Sequence, residues 1–365
     1  MSEEPATGGR SDASGAAEPD RHFLAVDDHR HRAPALAETE HPFEVGFVLL
    51  DVDVLEFHVP PLMVLPGGCR VGSSVLAEDG DHAFIVRSGP RSERNSVTKQ
   101  PIRLSAHNPS AMTGPGNNTY LVVGTDGQAA LIDSGVGHAQ HLAELADRLS
   151  AERCELRHVL VTHGHADHAS GAPALATQHP AAAFSKFPWP GEDDRYAVEW
   201  RTLADGDTVS IGDEVLTALH TPGHSPDHLA FWIERTRTIF SGDLVIPGRS
   251  VMIHTSAGGN LTQYFASLER LLALDALVLL PAHGPRIDAP AEVLNGHLEH
   301  RRMRERQVLD ALRAGRATVE TMAESIYDGL EPALMPAARE NVRAHLEKLK
   351  TDGVARAERG QWHLL

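Results

Sequence analysis

The most informative segment of this chain is the heptapeptide Thr162-His163-Gly164-His165-Ala166-Asp167-His168. A predicted strand over 158–162 leads directly into it, and alternate side chains of an extended segment point the same way. His163 and His165 can therefore reach one metal ion. Asp167 and His168, where the chain turns into a helix, can face a second one. Four potential ligands within six residues predict a metal site.

Three further candidate ligands occur later in the chain, each at a turn marked by Gly or Pro. His224 lies in Thr221-Pro222-Gly223-His224, Asp243 in Ser241-Gly242-Asp243, and His283 in Pro281-Ala282-His283-Gly284. Each motif follows a predicted strand, and loops at strand ends are where an α/β scaffold presents its ligands. A solitary histidine is more often a core or surface group, but the order of these motifs favours metal binding.

Short apolar segments alternate with helical ones between Tyr120 and Pro285, which indicates a layered α/β domain. Strands are predicted over 120–123, 129–132, 158–162, 215–220, 229–233, 238–241 and 276–280. Helices are predicted over 139–149, 166–178 and 261–274.

Together these motifs resemble the metallo-β-lactamase-fold hydrolases, through the His-x-His-x-Asp-His motif and the three later ligands in that family's order. The resemblance implies an α/β fold, a four-layer αββα metallo-β-lactamase sandwich, with a dinuclear site between two sheets. It implies that His163, His165 and His224 bind the first metal ion, that Asp167, His168 and His283 bind the second, and that Asp243 bridges both.

The implied site has the chemistry of a hydrolase. Imidazole and carboxylate ligands without thiolate suit two Zn²⁺ ions, with Fe or Mn as alternatives because geometry and supply decide occupancy. Such ions lower the pKa of a bridging water from about 15.7 towards about 7 in the best zinc sites, which yields a hydroxide nucleophile. Asp167 is the candidate catalytic residue that orients this hydroxide and receives its proton.

Two other stretches resemble a narrower subgroup, that of β-lactamase-like protein 2. They are residues 108–122, which include Asn117-Asn118-Thr119-Tyr120, and the later His300-Arg301-Arg302-x-Arg304-Glu305-x-Gln307. That subgroup carries a C-terminal winged-helix domain. Family members near it include an endoribonuclease of single-stranded RNA, relatives of hydroxyacylglutathione hydrolase and polyketide thioesterases.

The segment after Pro290 is predicted to be helical, with helices over 290–312, from about Thr318, and from Pro336 to before Gly353. A small hairpin, 354–357 with 361–364, follows. The predicted organisation is therefore an N-terminal extension (1–100), partly disordered or a small accessory region, a metallo-β-lactamase-fold hydrolase domain (101–296), and a winged-helix-like C-terminal domain (297–365).

Composition narrows the function further. The chain has 365 residues, of which 41% are hydrophobic, and 50 acidic against 33 basic side chains give a formal net charge of -17. This charge disfavours a protein whose whole surface grips nucleic-acid phosphates. Cys69 and Cys154 are too few for a disulfide framework, and neither a secretory leader nor a membrane-spanning stretch is recognisable. A cytoplasmic location is therefore expected.

Three other residues are candidates for roles around the ligands. Asp133 is expected to support the ligating imidazoles or to cap a turn. His228 is expected to orient a ligand or the substrate or to be structural. Asn118 is a polar contact at the mouth of the site or a turn residue.

Three functions remain open at this stage. The preferred one is a hydrolase of a small ester, thioester or related carbonyl substrate. The alternative is an endoribonuclease of single-stranded RNA, with arginines such as Arg301 and Arg304 as phosphate contacts, although interleaved glutamates are typical of a solvated helix face. The third is a nucleic-acid-binding regulator with a vestigial site. No membrane partner is expected, and the oligomeric state is left open.

Overall fold

The computed structural model describes residues 99–110 and 113–365. The N-terminal extension predicted over 1–100 lies, apart from Lys99 and Gln100, outside the described residues, and so does Cys69.

The first sheet consists of six strands that follow one another in chain order across the sheet. They are Ile102–Ser105 (β1), Asn118–Val123 (β2), Gln128–Ile132 (β3), Glu155–Leu160 (β4), Ala183–Lys186 (β5) and Trp200–Thr202 (β6). β1, β2 and β3 pair antiparallel, and β3 to β6 pair parallel. The carboxyl ends of the parallel strands therefore meet at one edge of the sheet.

The second sheet has five strands in the order β11-β10-β9-β8-β7. They are Thr208–Ile211 (β7), Glu214–His220 (β8), Leu229–Ile233 (β9), Thr238–Gly242 (β10) and Val278–Pro281 (β11). From β7 to β10, each strand pairs antiparallel with the next one in the chain, whereas β11 pairs parallel with β10. β8, β10 and β11 consequently run in the same direction and end at the same edge.

Helices cover the outer faces of both sheets. On the first sheet lie Ala139–Glu152 (α1), Ala166–Ala169 (α2) and Ala172–Gln178 (α3), with Leu145 and Leu175 in the core beneath them. On the second lie Leu261–Ala273 (α4) and Pro290–Arg313 (α5), which contribute Leu268 and Leu294 to a separate core. The predicted four-layer αββα sandwich is confirmed.

Both faces of each sheet are buried. Successive side chains of a strand point to opposite faces, and in these strands both sets are apolar. In β9, Trp232 packs under the helices of its own sheet, whereas Phe231 points into the core between the two sheets. In β2, Leu121 and Val122 divide in the same way between the helical side and the inter-sheet core. Such strands read as continuous apolar runs. Burying one such aromatic or aliphatic side chain contributes about 1.5–3 kcal/mol, so these strands hold the layers together.

The helix predicted over 166–178 is wrong as one element, because the chain breaks at Ser170 and Gly171 into α2 and α3. The N–H of Gly171 donates to the carbonyl of Gly135 (2.9 Å). A Cβ on Gly171 would lie 2.2 Å from the carbonyl oxygen of Ser134. The backbone thus approaches the β3–α1 loop more closely than a continuous helix with side chains would permit.

Among the described residues, all seven strands predicted between Tyr120 and Pro285 are present, with ends shifted by up to three residues, but four other strands of the two sheets were missed. The missed strands are β1, β5, β6 and β7. They have three or four residues each, too few to show a clear alternation of apolar and polar residues.

The C-terminal part is the predicted helical module with a hairpin. It comprises Val319–Ile326 (α6), Met335–Thr351 (α7), Ala355–Glu358 (β12) and Gln361–Leu364 (β13), the last two paired antiparallel. Val342, Leu346 and Trp362 share one core with Val308 of α5. The boundary proposed between residues 296 and 297 falls inside α5, which belongs to both cores.

Among the described residues, every helix is too short or too polar to cross a lipid bilayer.

Candidate metal centre

The candidate ligands lie at the carboxyl ends of strands from both sheets. β4 leads into the heptapeptide that contains His163, and β8 leads into the turn that contains His224. Asp243 follows β10 directly, and His283 comes two residues after β11. Because these strand ends meet at one edge of the sandwich, residues separated by more than a hundred positions converge.

Three groups of potential ligand atoms result, and within each group the atoms lie within 4.8 Å of one another. The groups are His163, His165 and His224; Asp167, His168 and His283; and His163, His168 and Asp243. The structure thus brings all seven predicted ligands together. The first two groups are the two sets that the family resemblance implies.

Asp243 lies where the two sets meet. Its Oδ1 is 3.4 Å from Nε2 of His168 and 3.3 Å from Nε2 of His283, and its Oδ2 is 3.7 Å from Nε2 of His224. One carboxylate therefore approaches ligands of both sets, which is the arrangement that a bridging ligand requires.

Two of the candidate ligands, His168 and His224, are oriented by a hydrogen bond on the side away from the centre. Nδ1 of His168 donates to Oδ2 of Asp133 (2.9 Å), and Nδ1 of His224 donates to the main-chain carbonyl of Met252 (2.9 Å). Such hydrogen bonds fix the tautomer, so that Nε2 presents its lone pair to the centre. Asp133 thus lies beside the imidazole of a candidate ligand, as predicted.

Asp133 also holds the heptapeptide itself. Its Oδ1 accepts hydrogen bonds from the N–H of Thr162 (2.7 Å) and from Oγ1 of Thr162 (2.9 Å). The residue has a positive φ of 63°, which turns the chain directly after β3. One buried carboxylate therefore connects the ends of β3 and β4.

His228 and Asn118 lie next to the candidate ligands and hold the backbone there. Nε2 of His228 accepts the N–H of Asp243 (3.1 Å), and its Nδ1 pairs with Oγ1 of Thr221 (2.9 Å). Nδ2 of Asn118 donates to the carbonyls of Pro281 (2.9 Å) and Gly284 (2.8 Å). His228 thus orients a ligand through its backbone, and Asn118 fastens the turn that carries His283.

The neighbouring Asn117 was not among the candidate site residues. Its Nδ2 donates to Oδ2 of Asp167 (2.9 Å) and lies 3.3 Å from Nε2 of His168. It is 2% exposed. The only sequence signal for it was its place in the stretch that resembles the subgroup.

A buried ion pair, which no sequence pattern predicted, supports the loop that contains His163 and His165. Nζ of Lys186 lies 3.0 Å from Oδ2 of Asp227, and both side chains are almost fully inaccessible. Oδ2 of Asp227 also accepts the N–H of Gly164 (2.8 Å), the residue between His163 and His165. Lys186 ends β5, one of the missed strands, so no pattern pointed to this contact.

Burial keeps two histidines of the first set, His163 and His165, neutral. It lowers the pKa of His163 well below its usual range and the pKa of His165 to about 3. Neutral imidazole is the form that binds metal ions, so these two histidines can bind a metal ion at pH 7.

The carboxylates have the opposite effect on the second set. Burial lowers the pKa of His283, but Asp243 and Asp167 overcome it and raise the pKa to about 9. Conversely, burial raises the pKa values of Asp167 and Asp243, yet the neighbouring histidines hold both well below their usual range. The carboxylates are therefore ionised, and this half of the centre attracts positive charge.

The donor set fits metal ions. Nδ1 of His165 lies 2.9 Å from Nε2 of His163 and 3.0 Å from Nε2 of His224. One nitrogen carries at most one hydrogen, so a proton on Nδ1 of His165 can point at only one of these two nitrogens, whereas a cation among the three nitrogens satisfies both contacts. Among the described residues, the buried Oδ1 of Asp243 has no hydrogen-bond donor. A divalent cation satisfies both features.

Two family models match two successive parts of the chain. A model of the metallo-beta-lactamase superfamily matches residues 112–283, and a model of the beta-lactamase associated winged helix domain matches residues 318–362.

Several known proteins are similar over most of the chain. Lactamase-like protein adaB of Aspergillus niger is 34% identical, covering 67% of this chain and 79% of that protein. A beta-lactamase-like protein 2 homolog of Caenorhabditis elegans is 29% identical (69% and 84%), and an atrochrysone carboxyl ACP thioesterase of Claviceps purpurea is 31% identical (73% and 86%).

Among solved structures, a beta-lactamase domain protein from Burkholderia ambifaria is similar with a TM-score of 0.61 at 23% identity, covering 73% of this chain and 91% of that one. At this identity the likeness concerns the fold alone.

Proposed function

Because the chain belongs to the metallo-β-lactamase superfamily and carries the winged-helix domain associated with it, we propose that it is a dinuclear metal-dependent hydrolase of a small ester, thioester or related carbonyl substrate. The resemblance drawn from the sequence, to the superfamily and to β-lactamase-like protein 2, is confirmed at the level of the family.

The observation that carries the proposal is the position of Asp243 between the two ligand sets. It approaches His168 and His283 on one side and His224 on the other. A single-metal site needs only one set, whereas a carboxylate shared by two complete sets supports two ions. We propose Zn²⁺ for both, with Fe and Mn as the alternatives that metal analysis distinguishes.

Bound in this donor set, the ions would lower the pKa of an attacking water and polarise the attacked carbonyl oxygen. The protein's own contribution is positioning. Asn117 holds Oδ2 of Asp167 (2.9 Å), which leaves Oδ1 as the atom that we propose orients the water and takes its proton. The side chain of Asp167 is 27% exposed, against 11% for Asp243 and 6% for His283, so it is the more accessible of these groups.

The substrate class is supported by a relative and by charge. The Claviceps purpurea relative is named a thioesterase. The net charge of -17 disfavours a long polyanion as substrate. The buried position of Arg301, which is 1% exposed, removes one of the arginines considered for phosphate contact. A small acyl thioester or ester is therefore the proposed substrate, and single-stranded RNA is the alternative.

The test is metal analysis followed by a substrate panel of acyl-glutathione and acyl-CoA thioesters, simple esters, lactones and single-stranded RNA. We expect about two divalent ions per chain and turnover of a thioester or ester. Asp167→Ala is expected to lower kcat by about a hundredfold or more, because positioned proton transfer contributes that much. The matched control is Asp147→Ala, which removes an exposed carboxylate from α1.

Three results would contradict parts of this proposal. A fully loaded protein that hydrolyses nothing in the panel is not this hydrolase. RNA cleavage that weakens steeply with added salt, without thioester turnover, assigns the alternative. Equal turnover by loaded wild type and Asp167→Ala shows that Asp167 does not have the proposed role.

A further inference from the structure

Arg301 belongs to the sequence motif that resembles the β-lactamase-like protein 2 subgroup, and the proposed chemistry does not need it. Within the part of the chain that the structure describes, it is nevertheless one of the largest fully buried side chains. It lies on α5, which joins the hydrolase core to the winged-helix core. A guanidinium stays charged inside a protein, and burying a charge is costly unless hydrogen-bond acceptors lie around it. Its contacts therefore indicate what it is there to hold.

The guanidinium contacts two helices and one loop. Nη1 donates to Oδ1 of Asn341 on α7 (2.8 Å), and Nη2 donates to the main-chain carbonyl of Val251. The guanidinium carbon lies 5.4 Å from the centroid of the Tyr264 ring on α4, within cation–π range. Asn341 is itself fixed, because its Nδ2 donates to the hydroxyl of Tyr327 (2.7 Å).

The residue after Val251 leads to the metal centre. The carbonyl of Met252 accepts the Nδ1 proton of His224, at 2.9 Å. Arg301 therefore holds one peptide carbonyl, and the next carbonyl sets the tautomer and the ring direction of a proposed metal ligand. Val251 is 2% exposed and Ile253 1%, so both residues that flank Met252 are buried.

Tyr264 provides a second connection to the same centre. Its hydroxyl donates to the carbonyl of Leu244, the neighbour of Asp243 (2.8 Å). Its backbone lies against Gly223, the neighbour of His224, where a Cβ would come within 2.4 Å of the Cα of Tyr264. The ring that faces Arg301 thus belongs to a residue that touches the neighbours of two ligands.

The packing of α7 disfavours a role in nucleic-acid binding. In helix-turn-helix modules the second helix of the motif enters the major groove, and by order that helix is α7. Here Ala344 of α7 lies in the core of the hydrolase domain, while Val342 and Leu346 lie in the core of the C-terminal module. Two opposed sides of α7 are therefore buried, and the helix cannot enter a groove without leaving the hydrolase core.

We infer that the C-terminal module acts as a positioning element for the metal centre, with Asn341 and Arg301 holding the segment 251–253 and, through Met252, the ligand His224. This inference rests on the proposed function for the identity of the centre, but it concerns metal binding rather than turnover. Arg301 and Asn341 are positioning residues, because neither touches the ligand atoms.

The test compares Arg301→Lys with Arg302→Lys in the full-length, metal-loaded protein. Lysine keeps the charge of Arg301 but cannot hold Asn341 and Val251 at once. Arg302 is the matched control, since it is the next residue on α5, is half exposed and pairs with Glu269 at the surface. Zn²⁺ affinity is measured by competition with a chelator, and Co²⁺ absorption reports the geometry of the loaded site.

We expect Arg301→Lys to weaken binding of one of the two Zn²⁺ ions by about 10- to 100-fold, as is typical for groups that orient a metal-bound histidine. The Co²⁺ spectrum should change for that ion only. Arg302→Lys should match wild type in both measurements. Asn341→Asp, which keeps an oxygen for Arg301, should keep wild-type affinity, whereas Asn341→Leu should resemble Arg301→Lys.

A structural role alone would lower the melting temperature of these variants and leave the affinity of the folded protein unchanged, and that result overturns the inference. Wild-type affinity for both ions in Arg301→Lys overturns it as well. If wild type binds two ions but hydrolyses no substrate, the proposed function fails while the affinity comparison still decides the inference. A wild-type protein that retains no divalent ion contradicts both.

Discussion

At the scale of single residues, the centre depends as much on the partners of the ligands as on the ligands. Asp133 shows this clearly, since one carboxylate accepts from His168, from the N–H of Thr162 and from the hydroxyl of Thr162. It is 3% exposed, so water cannot replace these hydrogen bonds. The positive φ of 63° at this residue is the backbone condition that brings the carboxylate there.

Replacing Asp133 with Asn is expected to weaken metal binding without unfolding the protein. Asn supplies one acceptor oxygen where the native structure uses two, so either Thr162 or His168 loses its partner. We expect about a 10- to 100-fold lower affinity for one of the two ions. Isothermal titration of the metal-free protein with Zn²⁺ measures it. Asp147→Asn, on the exposed face of α1, is the control, and equal affinities in the two variants would contradict the role of Asp133.

At the scale of elements, the break between α2 and α3 places the ligands of the heptapeptide. The turn at Gly171 lets the chain meet the loop that follows Asp133, where the N–H of Ser134 donates to the carbonyl of His168 (2.8 Å). A single helix through this region would direct His168 differently. The close approach of two backbones, rather than helix propensity, determines where α2 ends.

Gly171→Ala is expected to disturb both stability and metal binding, because its Cβ would collide with the carbonyl of Ser134 at 2.2 Å. Overpacking of this kind costs about 1–3 kcal/mol. Gly353→Ala is the control, since its Cβ would meet no atom within 4 Å and only its φ of +70° is unfavourable. Urea unfolding and chelator competition should show that Gly353→Ala loses stability alone. A Gly171→Ala protein with unchanged metal affinity would show that the break does not position His168.

At the scale of the whole molecule, the two cores are joined by α5 and α7, and buried histidines lie in both. Burial lowers the pKa of His141, His297 and His345, in each case to about 4. In the unfolded chain these groups titrate near 6.5. Between these values the unfolded state binds more protons, so the free energy of unfolding rises with pH over this range and falls as the pH drops below about 6.5.

The corresponding prediction is that the metal-free chain unfolds at lower urea concentration at pH 5 than at pH 7.5, and that His345→Gln reduces this difference. His363→Gln, at a half-buried position of the C-terminal hairpin, is the matched control for the substitution itself. If His345→Gln retains the full pH dependence of wild type, then His345 does not contribute the expected proton linkage.

The candidate metal ligands and the fold class could be predicted from local patterns in the sequence. The heptapeptide, the three later ligands and the long apolar strands are local patterns, so the fold class, the winged-helix module and the family could be recognised from them. The same holds for Asp133, because it follows a predicted strand. What depended on packing could not be read locally: the missed short strands, the break at Gly171, the contact of Asn117 with Asp167 and the ion pair of Lys186 with Asp227. Only the tertiary structure decided that Arg301 points inward to Asn341 and Val251 instead of outward to solvent. The physical reason is that periodicity and spacing report which side chains share a face, whereas the partner across that face belongs to a distant part of the chain and is chosen by how the layers pack.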